Sequence, residues 1–174
     1  AKDLDKVASM LGLVTLAALL AALSRLVGLD PVAVVIGSVC GVGLSAGLAR
    51  AASRAGSSGL GPADGVTLGR AVLACGVAAL TVELIGGRPV TAAILVLAIP
   101  ALAIDAVDGW VARRTETATP LGARLDGEVD AFLILVLSVA VGSLLGWWVV
   151  AAGLARYVFA LAGMLLPWMR RPLP

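Results

Sequence analysis

Apolar runs approaching ~20 residues recur along this chain, and their length decides what it can fold into. A helix of ~20 residues crosses the ~30 Å of bilayer hydrocarbon, whereas buried strands are much shorter. In lipid every backbone N–H and C=O must be paired internally, which a helix achieves within its own segment. Composition agrees: of 174 residues 60% are hydrophobic and only 14% charged, with a mean hydropathy of +1.05. The sequence therefore reads as an all-α integral membrane protein with six predicted transmembrane helices in a bundle, and the lipid bilayer is its first partner.

The spans are expected over residues 7–27, 31–48, 64–85, 90–111, 121–145 and 148–168. The first is too long for a signal-peptide core and is followed by further spans, so it is read as retained. Leu29-Asp30-Pro31 breaks the first helix from the second, because proline disfavours the helical state before it and favours a helix start. The second span carries Gly37, Gly41, Gly43 and Gly47, small residues that allow close helix packing. Residues 49–62, rich in serine and glycine, read as a linker. They divide residues 1–63, two N-terminal helices and this linker, from residues 64–174, a four-helix core. Gly86-Gly87-Arg88-Pro89 marks another turn. Lys2, Lys6, Arg50, Arg54, Arg113, Arg114, Arg170 and Arg171 fall on one side of a six-span topology, and only Arg25 and Arg88 on the other. That asymmetry predicts cytoplasmic termini in the cell membrane.

Several chemistries are excluded. With no histidine, a histidine base, a histidine metal ligand and a Ser-His-Asp triad are all impossible. A net charge of +2 and few aromatic residues give no footing for nucleic acid. Cys40 and Cys75 lie in apolar sequence without a CxxC spacing and read as structural thiols. Carboxylates must do any acid or base work.

Those carboxylates are concentrated in the stretch 105–130. Asp105, Asp108, Asp126 and Asp130 lie on the fourth and fifth spans, on either side of a short loop. Folded as an antiparallel hairpin, residues at equal depth have a nearly constant sum of residue numbers. This pairs Asp108 with Asp126 and Asp105 with Asp130. Spacings of three and four residues place each pair on one helix face. Four carboxylates close together repel one another unless a cation joins them. Hard oxygen ligands suit Mg2+ or Mn2+, and two such ions would neutralise the group. Ions of this kind act on phosphates by bridging their oxygens. Gly109, Ala112 and Gly122 leave room for a polar ligand, and Arg113 can grip phosphate through two parallel hydrogen bonds. A pyrophosphate fits that combination.

The stretch resembles the signature of the CDP-alcohol phosphatidyltransferases, D-x2-D-G-x2-A-R-x8-G-x3-D-x3-D. Asp105, Asp108, Gly109, Ala112, Arg113, Gly122, Asp126 and Asp130 fill its eight positions. The resemblance implies transfer of a phosphatidyl group from a CDP-linked lipid, such as CDP-diacylglycerol, to an alcohol acceptor with release of CMP, in phospholipid biosynthesis. It implies one metal held by Asp105, Asp108 and Asp126, a second by Asp105, Asp126 and Asp130, and Asp130 as the catalytic general base. Gly109, Arg113 and Thr119 would contact the CDP moiety. Asp64 and Thr67 are similar to the family's N-x-x-T element, with aspartate in place of asparagine, and Arg70 continues it. Family members carry six core helices. Here two helices precede the core and four compose it, so either two C-terminal helices are missing or the N-terminal pair takes their place. A second copy of the chain is a further candidate partner.

Two further arginines carry candidate roles. Arg70 reads as an acceptor ligand or as a snorkelling interfacial cation. Arg156, the charge in the sixth span, reads as an acceptor-phosphate ligand, as a partner of Glu83, or as snorkelling outward. Trp147 and Trp148 read as an interfacial aromatic belt. Competing functions are a membrane prenyltransferase acting on a lipid diphosphate, whose aspartate motifs typically sit far apart, and a divalent-metal transporter, whose acids would be spread across the membrane rather than gathered at one end.

Overall fold

The computed structural model describes residues 2–55, 62–115 and 120–166. They form α1 (Lys2–Leu26), α2 (Pro31–Ala55), α3 (Pro62–Ile85), α4 (Thr91–Thr115), α5 (Pro120–Leu145) and α6 (Val150–Leu165), with a 3-10 turn over Trp147–Val149 leading into α6. No strand occurs among the described residues.

Local chemistry sets these ends. Pro31, Pro62 and Pro120 open their helices, where a missing N–H costs nothing and the fixed φ is already helical. At the end of α3, Gly87 takes φ 85°, Arg88 N–H donates to the Glu83 carbonyl at 3.0 Å, and Gly87 N–H donates to Leu84 at 2.9 Å. This pair of bonds closes the helix with a left-handed residue that glycine adopts without penalty. One boundary differs from expectation: α2 runs on through Ala55, into the expected linker. The segment ARAASRA is dominated by alanine and arginine, strong helix formers that outweigh its single serine.

Within α3 and α5, Gly65–Ile85 and Asp126–Leu145 are long and apolar enough to cross a membrane. The apolar stretches Met10–Leu26, Pro31–Gly47, Thr91–Ala106 and Trp147–Gly163 are shorter. Large apolar side chains such as Val39, Val96, Ile99, Phe159 and Leu165 face outward, a surface that calls for an apolar surrounding.

α3 is the central helix. Its Ala74, Val77, Ala78 and Leu80 pack with Ile94, Leu97 and Ala101 of α4 and Leu133 and Val136 of α5. Its Cys75 and Ala79 meet Leu16 and Leu20 of α1 and Ala33 of α2. Small residues make this possible. A Cβ on Gly76 would lie 2.9 Å from both Leu19 and Leu97, and one on Gly37 would lie 3.2 Å from the Ala79 Cβ. In lipid, helices are held by such close van der Waals contact rather than by escape from water. Gly41 also faces a neighbour, Leu16, whereas Gly43 and Gly47 meet nothing within 4 Å. Close packing in α2 therefore belongs to its first half.

The loop-side turns of the expected α4–α5 hairpin lie outside the residues whose side chains are described. α3 packs against α1, α2, α4 and α5, while no Cα pair joins α4 to α5 within 8 Å among the described residues. The alanine and glycine surface of α3 lets both helices approach it more closely than they approach each other. Among the described residues α6 packs only on α5 and the 3-10 turn, with Gly153 so close that a Cβ there would lie 2.8 Å from the Leu135 Cα. Cys40 and Cys75 are free thiols, Cys75 buried, as structural cysteines should be.

Candidate functional site

The site forms beside the entry of α3, which stands between α4 and α5. Asp105 comes from α4, Asp126 and Asp130 from α5, the latter pair four residues apart on one helix face. One carboxylate oxygen from each of the three lies within 4.8 Å of the others. Each side chain is partly open, at 32%, 38% and 33% exposure.

The gap between the helices is filled by Arg70 of α3, which is 1% exposed. Its Nε donates to the Ala101 carbonyl at 3.2 Å. Nη1 pairs with Asp105 at 2.8 Å and with Asp126, and Nη2 pairs with Asp130. The planar guanidinium presents several donors in a fixed fork, so one side chain can hold carboxylates from two helices. A charge removed from water requires such partners. Snorkelling is therefore excluded for Arg70, because its charged end points inward.

The charge balance is uneven. Among the described residues three carboxylates face one guanidinium, leaving two negative charges, which one divalent cation would balance. The donors are hard oxygens from partly open side chains, the ligand set that Mg2+ and Mn2+ select. The residues present thus fit a divalent ion.

The other expected site residues divide into those the structure positions and those it does not describe. Thr67 lies one helical turn before Arg70 on α3 and is partly buried. Asp64 is at the start of α3, Asp108, Gly109, Ala112 and Arg113 are on the last turns of α4, and Gly122 is on the first turn of α5. The side-chain placements at these six positions, and Thr119 altogether, lie outside the described residues. The expected facing of Asp108 and Asp126 accordingly falls outside them too. Asp105 and Asp130 do meet, through Arg70.

Arg156 of α6 pairs with Glu128 of α5 at 3.5 Å, both well exposed at 54% and 60%. Glu83 is not its partner. Buried Glu83 instead binds Arg88 at 2.9 Å and accepts the Asp30 backbone N–H at 2.5 Å, while Arg88 also reaches the Val27 and Gly28 carbonyls. Arg156 still belongs near the site, since its Nη2 lies 3.1 Å from where a Cβ on Gly127, next to Asp126, would be. Glycine at 127 makes room for it.

Sequence reasoning missed Glu128 and the bridging role of Arg70. The second was recoverable: Arg70 and Asp105 are equidistant from the Gly86–Pro89 turn, which places them at equal depth in the α3–α4 hairpin.

A family model for CDP-alcohol phosphatidyltransferase matches residues 60–172, from the start of α3 past the end of α6. The chain belongs to that family. No curated protein matches the chain, and no solved structure does. Membership makes it a transferase that moves a phosphatidyl group from a CDP-linked alcohol to an alcohol acceptor. CDP-alcohol phosphatidyltransferases depend in general on a divalent metal, in keeping with the surplus negative charge at Asp105, Asp126 and Asp130. The family and the two long apolar helices point to a membrane protein.

Proposed function

We propose that the protein transfers a phosphatidyl group from CDP-diacylglycerol or a similar CDP-linked lipid to a water-soluble alcohol, releasing CMP, as a step of phospholipid biosynthesis. The observation that carries this reading is the convergence of Asp105, Asp126 and Asp130 at one end of the bundle. The catalytic core is residues 64–174, in a six-span bundle whose carboxylate end faces the cytoplasm.

Asp105, Asp108, Asp126 and Asp130 would hold two ions, Mg2+ or Mn2+. When bound, such ions neutralise a diphosphate and stabilise the charge that develops on the departing phosphate. The remaining roles fall to side chains of this chain. Asp130 accepts the proton of the acceptor hydroxyl. That oxygen bonds to the phosphorus bearing the lipid, and the bond from this phosphorus to the oxygen bridging to CMP breaks. Arg113 grips the diphosphate, and Asp64, Thr67, Gly109, Ala112, Thr119 and Gly122 shape the CDP seat. Arg156, beside Gly127, is placed to meet a phosphate on the acceptor. Arg70, paired with Asp105, Asp126 and Asp130, is the second candidate for contact with the acceptor.

Incubation of the membrane-embedded protein with radiolabelled CDP-diacylglycerol, Mg2+ and a panel containing inositol phosphate, glycerol phosphate and serine tests the reading. CMP release that requires both metal and one acceptor is expected. In Asp130→Asn, turnover should be lost while CDP-lipid binding persists. Absence of metal-dependent CMP release with every acceptor would sink the proposal.

A further inference from the structure

Three carboxylates close together are unstable without a cation, yet in this fold they already have one that belongs to the chain. We propose that Arg70 is an internal counter-cation that holds the carboxylate cluster together when metal is absent and competes with divalent cations for the same oxygens. The inference rests on the metal reading of the site given above.

Three observations lead to it. First, the guanidinium engages Asp105, Asp126 and Asp130 together, the same three residues whose oxygens are close enough to share an ion. Second, α4 and α5 do not approach each other's backbones among the described residues, so Arg70 is the side chain that links their acids across α3. Third, Arg70 is buried while its partners are partly open. A cation arriving from the open side meets carboxylates whose inner oxygens are taken, and it feels the repulsion of a fixed positive charge a few ångströms behind them. At the effective dielectric of such sites that repulsion is large. The Ala101 carbonyl, which accepts from Nε, anchors the side chain independently of the carboxylates, so the guanidinium stays beside the cluster when a cation takes some of their oxygens.

This makes Arg70 a positioning residue with two opposed effects. It assembles the site and it lowers the affinity of the site for metal. Mn2+ titration followed by electron paramagnetic resonance on detergent-solubilised wild type, Arg70→Gln and Arg70→Lys separates them, with thermal unfolding measured with and without Mn2+. Arg70→Gln should unfold at lower temperature without metal, bind Mn2+ on the order of tenfold more tightly, and gain more from Mn2+ than wild type does. Arg70→Lys keeps the charge without the fork and should show the same changes to a smaller degree. It decides the matter if the glutamine variant does not fold. Unchanged or weaker Mn2+ binding in the folded variant overturns the competition while leaving the metal site standing. No Mn2+ binding in any of the three proteins overturns the metal reading itself.

Discussion

Two arginine–carboxylate clusters sit at opposite ends of α3, and they are inverted. At the entry of the helix the buried member is the cation, Arg70, surrounded by three partly exposed acids. At its exit the buried member is the anion, Glu83, and its partner Arg88 is 38% exposed. The exit cluster is complete: Glu83 takes one arginine and one backbone N–H, and Arg88 spends its other bonds on carbonyls of the α1–α2 turn. Its charges cancel, and it fastens the N-terminal hairpin to the α3–α4 turn. The entry cluster is left with negative charge facing outward. A satisfied network serves the fold, and a surplus of one sign marks the place where a ligand's charge is expected.

That contrast can be broken from either end. The largest effect should come from the entry cluster: Asp126→Asn is expected to lower metal-dependent CMP release by about 10³-fold, the several kcal/mol that a metal-held charge supplies. Protein stability should change far less, because Arg70 retains Asp105 and Asp130. If Asp126→Asn unfolds the protein as readily as it silences it, the entry cluster is structural after all. Next in size, Glu83→Ala should cost about 2–4 kcal/mol of stability, since it leaves the Asp30 N–H and Arg88 without their buried acceptor. Denaturant unfolding in mixed micelles measures this, and Mn2+ affinity of the folded fraction should match wild type. A change in that affinity would show that the two ends of α3 are coupled. The smallest effect belongs to the exposed pair. Glu128→Ala should change stability by less than ~1 kcal/mol, while releasing Arg156 for an anionic acceptor and so lowering KM for it with kcat unchanged. Steady-state kinetics with the acceptor found active would reveal the opposite outcome, a raised KM.

Much of the fold was legible beforehand for a local reason. Apolar run length, a proline at a helix start and a glycine at a helix end act within a few residues of themselves, so the six helices lie close to the expected spans. The linker begins later than its serine and glycine content suggests, because residues 49–55 form an alanine-rich run that stays helical. The meeting of Asp105 with Asp130 was also legible, since depth along a helix follows from counting residues.

The sequence by itself determined that this is a chain of apolar helices with the four aspartates of its signature gathered at one end, and that signature placed it with the CDP-alcohol phosphatidyltransferases. Counting from the Gly86–Pro89 turn gives Arg70 the depth of Asp105, but the tertiary structure decided that α3 stands between the two helices that carry the acids. Small residues on α3 let α4 and α5 pack against it rather than against each other, and that choice carried Arg70 into the centre of the carboxylates. It likewise gave Glu83 to Arg88 and left Arg156 to Glu128. Partner choice of this kind depends on which surfaces approach most closely in space, a competition among distant segments that no local pattern records.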